Sequence, residues 1–136
     1  MIVAVDFDGI LCENQFPAIG EPNYTIISKI QQLIDLGVEV VLWTSRTDSE
    51  LENAVAWCEK YGLHFCAVNE NAPSNIKMYK DKYPNGTRKV YADYYIDDHN
   101  LEFAYANTRS YSSLSRVEYI LTSIIKRIKM TEEEIK

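Results

Sequence analysis

The polarity pattern divides the chain into short apolar runs that alternate with amphipathic stretches. Residues 2–5, Ile-Val-Ala-Val, form a continuous apolar run, which suits a parallel strand buried on both faces. From Asn23 onward Ile26, Ile27, Ile30, Leu33 and Ile34 recur at helical spacing, and Gly37 is placed to end that helix. Val38–Trp43 reads as a second buried strand. Thr47 and Glu50 have the spacing of a capping box ahead of the stripe Leu51, Ala54, Val55, Cys58 and Tyr61, a second helix that Gly62 closes. Leu63–Val68 reads as a third strand, Ser74–Lys82 as a short helix, Pro84-Asn85-Gly86 as a turn and Tyr94-Tyr95-Ile96 as a fourth strand. A short edge strand is expected through Phe103–Ala106. The stripe Val117, Ile120, Leu121, Ile124, Ile125 and Ile128 marks a final helix over about 113–129, with Ser115 and Glu118 able to cap its start and a frayed tail over 130–136. The segment from Ile10 to Pro22, interrupted by Pro17, Gly20 and Pro22, is expected to be an irregular loop. Strands alternating with helices over short links imply an α/β fold with a doubly wound, mainly parallel sheet.

Sheets of this kind bind ligands beyond the carboxyl ends of their strands. Asp6 and Asp8 fall where the first strand should end, Thr44 comes directly after the second, and Asp97-Asp98 after the fourth. Alternation by two would point the carboxyls of Asp6 and Asp8 the same way, and Gly9 lets the backbone turn just after them. Two like charges this close repel unless a cation or a proton intervenes, so a divalent metal is expected. Each feature also has a structural explanation. Asp6 and Asp8 could sit in a solvated turn, Thr44 could cap the next element, and Asp97-Asp98 could cap a helix. Arg46, His99 and Asn100 adjoin these positions and are explained equally well as surface residues. The run Tyr91, Tyr94 and Tyr95 reads as strand packing and not as a base-stacking platform.

Composition narrows the class. A chain of 136 residues suits a single domain over 1–136. Its 14 Lys plus Arg against 20 Asp plus Glu give a net charge of −6, which disfavours broad nucleic-acid binding. A local basic cluster, Lys77, Lys80, Lys82, Arg88 and Lys89, could draw an anionic ligand or be a solvated surface. Cys12, Cys58 and Cys66 match neither a zinc motif nor a disulfide framework and read as reduced thiols of a cytoplasmic protein. No stretch approaches the roughly 20 apolar residues of a membrane span, so no membrane association is expected.

In chain order, Asp6-Phe7-Asp8-Gly9, Thr44 after an apolar strand, Lys89, and Asp97-Asp98 after Tyr95-Ile96 resemble the four motifs of the haloacid dehalogenase (HAD) superfamily of phosphohydrolases. The resemblance covers roughly residues 1–100. It implies a three-layer Rossmann-like fold without a cap domain, because neither Gly9–Asn23 nor Asn69–Arg88 is long enough to hold one. It also implies a Mg²⁺-dependent phosphomonoester hydrolase acting through an aspartyl-phosphate. Asp6 would be the nucleophile, and Asp8 the general acid and then base. Thr44 and Lys89 would bind phosphate, with Lys77, Lys80 or Lys82 as alternatives to Lys89. Mg²⁺ would be held by Asp6, the Asp8 backbone carbonyl and an acid of the Asp97-Asp98 pair, Asp98 being favoured and Asp97 supporting it. The partner would be a phosphorylated small molecule or an exposed phosphate on a macromolecule, and an open site could be covered by another subunit in a homo-oligomer. Two alternatives stand beside it: a phosphoacceptor signalling domain of the response-regulator kind, and a phosphate-binding protein without catalysis. Receivers carry the accepting Asp at the end of the third strand, where this chain has Asn69.

Overall fold

A computed structural model describes residues 1–101 and 113–135 of the chain. The strand β1 (Ile2–Val5) lies inside a four-stranded parallel sheet and is buried along its whole length. On one side it pairs with β4 (Glu39–Leu42), Ile2 opposite Glu39 and Val5 opposite Leu42. On the other it pairs with β6 (Tyr94–Ile96), Val5 opposite Ile96. β5 (Ala67–Val68) completes the order β5-β4-β1-β6. The two-residue side-chain period divides the apolar residues between the faces. Val3, Val5, Val40 and Leu42 join one core cluster, and Ile2, Ala4, Val41 and Ala67 join the other.

The first cluster is covered by α1 (Tyr24–Asp35), α2 (Asp48–Lys60) and α4 (Ser113–Ile135). α1 buries Ile26, Ile27, Ile30 and Leu33, each worth about 1.5–3 kcal/mol relative to exposure, as the spacing predicts. α4 docks on the same cluster through Leu121 and Ile125, while Ile120 of the expected stripe is 46% exposed. The second cluster is covered by Ala72, just before α3 (Pro73–Tyr79), and by Val90 and Ala92 of the segment that leads to β6. The result is a Rossmann-like α/β fold with helices flanking a parallel sheet. Among the described residues no helix is long and apolar enough to cross a membrane.

Several expectations are corrected. Residues 12–22 are not an irregular loop but an antiparallel hairpin, β2 (Cys12–Gln15) and β3 (Ala18–Pro22), with Phe16-Pro17 at its tip. Gly20 allows it, because a side chain there would collide with the backbone carbonyl of Glu13. Asn23 then ties the hairpin down: its backbone N–H donates to the Leu11 carbonyl at 2.9 Å and its side-chain amide to the Ile10 carbonyl at 2.7 Å. The strand expected over Leu63–Val68 keeps only the two ladder residues of β5, Leu63 being buried ahead of it. No capping box forms at α2. The Thr47 hydroxyl turns instead to the Asp48 carboxylate at 3.4 Å, and Glu50 accepts from Ser49 Oγ at 3.2 Å. Ser115 and Glu118 lie inside α4, not at its start, and the helix continues through the expected frayed tail to Ile135. The edge strand expected over Phe103–Ala106 lies outside the described residues.

Candidate functional site

β1 delivers Asp6 at its carboxyl end, where the Asp6 N–H still donates to the Ile96 carbonyl at 2.9 Å. The chain then turns. The N–H groups of Ile10 and Leu11 both donate to the Phe7 carbonyl, Phe7 is fully buried, and Gly9 takes φ +86°. That conformation strains any other residue, and a Cβ at Gly9 would strike the Asp98 carboxylate. Glycine is therefore what lets the carboxyl ends of β1 and β6 close on one another.

The two aspartates of the first motif part company in the turn. Carboxylate oxygens of Asp6, Asp97 and Asp98 lie within 4.8 Å of one another, each group half-buried. Asp8 lines the same cavity but turns to Arg46. Arg46 Nε donates to Asp8 Oδ2 and Nη2 to Asp8 Oδ1, both at 2.8 Å, a bidentate pair. The same guanidinium donates to the carbonyls of Pro17 at 3.0 Å and Ala18 at 2.9 Å, and lies 5.0 Å from the ring centroids of Phe7 and Phe16. Arg46 is 3% exposed, so the surface explanation that the sequence leaves open does not hold. One signal was present, since the residue stands two positions after Thr44 at a strand end.

Burial, a hydrogen bond with Asp98 and the charge of Asp97 push the Asp6 carboxyl up to about 8, with the Phe7 N–H on Asp6 Oδ1 at 2.8 Å working in the opposite direction. Ionising Asp6 beside Asp97 and Asp98 is therefore costly without a compensating cation. An all-oxygen donor set of this kind fits a hard divalent ion such as Mg²⁺. The Asp8 carboxylate is outside the trio, which leaves its backbone carbonyl as the atom it could offer. Within the acid pair, Asp98 shares the hydrogen bond with Asp6 and faces Gly9, while Asp97 accepts from the His99 N–H at 2.7 Å.

Thr44 lines the cavity, which has a volume of about 620 Å³. Its backbone N–H donates to Asn69 Oδ1 at 2.8 Å, and its hydroxyl oxygen accepts from the Arg46 N–H at 3.1 Å. The hydroxyl proton is left to point at a ligand. Asn14 and Phe16 of the hairpin form part of the rim, a contribution hidden from the sequence by the missed hairpin. Asp6, Asp8, Thr44, Asp97 and Asp98 are thus brought together, and Lys89 is not. No lysine lines this cavity among the described residues. The Lys89 ammonium sits 5.3 Å from the Tyr95 ring centroid in a neighbouring cavity, which Lys80 and Lys82 also line.

No protein-family model and no curated protein matches the chain. A solved structure does: a conserved protein of Bacteroides thetaiotaomicron is similar at 30% identity and a TM-score of 0.64, over 81% of this chain and 90% of that one. The chain therefore belongs to the same family as this conserved Bacteroides thetaiotaomicron protein.

Proposed function

We propose that the chain is a capless HAD-type phosphatase, a Mg²⁺-dependent phosphomonoester hydrolase with the three-layer arrangement of that superfamily. The observation that carries this reading is the convergence of Asp6, Asp97 and Asp98 within 4.8 Å beside Asp8 and Thr44 at the carboxyl ends of parallel strands. Asp6 attacks phosphorus, the bond to the leaving oxygen breaks, and Asp8 supplies the proton that the leaving oxygen takes. Water then attacks the aspartyl-phosphate, giving its proton to Asp8 and releasing phosphate with the Asp6 carboxylate restored. Thr44 donates its hydroxyl proton to a phosphoryl oxygen. A cation held by Asp6, Asp98, the Asp8 carbonyl and, in support, Asp97 would offset repulsion between the phosphate and the attacking carboxylate. Lys89 would reach the phosphate only by leaving Tyr95. The small hairpin after β1 and the short segment before β6 support the absence of a cap.

One observation favours a second reading, a phosphoacceptor that holds its phosphate. Both Asp8 oxygens are occupied by Arg46, so proton delivery requires one of them to swing free. The deciding experiment is incubation with p-nitrophenyl phosphate and other phosphomonoesters, with Mg²⁺ or with chelator. Catalytic, metal-dependent phosphate release that Asp6→Asn abolishes is the expected result. A single stoichiometric phosphorylation of Asp6 without turnover would instead establish the acceptor, and turnover unaffected by Asp6→Asn would overturn the assignment of the nucleophile.

A further inference from the structure

Beside the acid site lies a second cavity of about 940 Å³ whose lining has the opposite character. Among the described residues four cations, Lys80, Lys82, Arg88 and Lys89, line it against one carboxylate, Glu70. On a protein of net charge −6 this is a local reversal of sign. Three tyrosines on its walls, Tyr79, Tyr83 and Tyr91, are 42–48% exposed: Tyr79 and Tyr83 lie tilted against each other at 6.1 Å, and Tyr91, ahead of β6 and not in the strand packing expected of it, donates its hydroxyl to Asp93 at 2.9 Å. The two cavities adjoin. Asn69 lines the basic one, and its Oδ1 accepts the Thr44 N–H of the acid one; on the sheet face below, Trp43 of the acid cavity and Tyr95 of the basic one pack on the same core cluster.

We infer that the basic cavity binds a single-stranded oligonucleotide and so delivers a terminal phosphate of that strand to Asp6. Cations spaced along one groove meet successive backbone phosphates, and exposed rings offer faces on which bases stack without regard to sequence. The volume approaches the upper end for single small-molecule sites, which favours more than one nucleotide over a lone sugar phosphate. Acidity elsewhere confines the contact to this groove. Tyr95 is not one of the stacking rings, because it packs against the second core cluster and its hydroxyl donates to the Val90 carbonyl at 2.6 Å. The groove itself stands without the catalytic reading, whereas delivery to Asp6 rests on it.

The test separates the two. Fluorescence anisotropy of labelled hexathymidylate lacking a terminal phosphate, in chelator, reads the groove alone. Binding at least tenfold tighter than thymidine monophosphate is expected. Its logarithmic salt slope should be roughly −3, the value for four backbone contacts on a single strand. Lys82→Glu/Arg88→Glu should halve that slope and weaken binding tenfold or more, and Tyr83→Ala should weaken it about fivefold. Hexamer binding no tighter than the mononucleotide, or unchanged in these variants at unchanged circular dichroism, overturns the inference. Phosphate release from terminally phosphorylated hexathymidylate and from p-nitrophenyl phosphate, with Mg²⁺, reads the site. Release from the small ester without hexamer binding overturns the groove and leaves the phosphatase standing. Hexamer binding with neither ester hydrolysed upholds the groove and overturns delivery to a catalytic Asp6.

Discussion

Removing the Arg46 guanidinium would leave both Asp8 oxygens and the carbonyls of Pro17 and Ala18 without their donor. Breaking a buried ion pair from one side costs more than the pair itself contributes, because the remaining charge stays desolvated. Such a loss costs about 3–5 kcal/mol, and because the Asp8 side chain is 16% exposed the low end applies: Arg46→Met should destabilise by about 3 kcal/mol, read as a lowered urea midpoint. Arg46→Lys keeps the charge but not the fork and should recover only part of the loss. Asp6 makes a different prediction. Its carboxyl lies near 8 in the folded, metal-free protein against an ordinary value of 3.8, so the folded state holds a proton that the unfolded state has released between those limits. The stability this gives is fully present below about pH 4 and is lost as pH rises through about 8. Chelated protein should therefore melt at a lower temperature at pH 8.5 than at pH 6, and Asp6→Asn should flatten that difference. An equal slope in the variant would assign it to other groups.

At the scale of elements, the turn after β1 and the docking of α4 are separately testable. Gly9→Ala would force a side chain into a left-handed conformation, at about 1–2 kcal/mol, and into the Asp98 carboxylate as well. The cost should exceed the backbone term alone, and Asp98→Ala should relieve the excess in a double-mutant cycle. On α4, Leu121→Ala and Ile125→Ala should each cost about 2–5 kcal/mol, while Ile120→Ala should stay within about 0.5. The sequence stripe contains all three residues, and only packing against α1 separates the docked side from its margin. Strands and helices with a strong apolar period were legible for that reason: β1, α1, β4 and α2 each bury enough to announce themselves. The hairpin was not. Its residues Glu13, Asn14 and Gln15 are exposed and polar, so no alternation marks them, and closure depends on Gly20 and Asn23 contacts formed only in three dimensions. In the site, residue types at strand ends were legible, whereas the partner of Asp8 and the position of Lys89 depend on side-chain directions that spacing alone does not fix.

For the molecule as a whole, the acid trio and the net charge of −6 make rival predictions about added salt. A cation bound by Asp6 and Asp98 stabilises the folded state by mass action, about 2.7 kcal/mol at a hundredfold excess over its dissociation constant. In a domain of this size that corresponds to a rise in melting temperature of roughly 10 °C. General screening of an acidic protein also raises stability, but any salt of equal ionic strength does so. MgCl₂ at pH 8 should therefore exceed NaCl at matched ionic strength, and Asp98→Asn should remove the excess while leaving the NaCl effect. Protons compete with the cation for Asp6, so the excess should shrink as pH falls from 8 to 6. Identical shifts from the two salts would mean that protons alone relieve the repulsion within the trio, and the metal-dependent hydrolysis proposed for this chain would lose its first requirement.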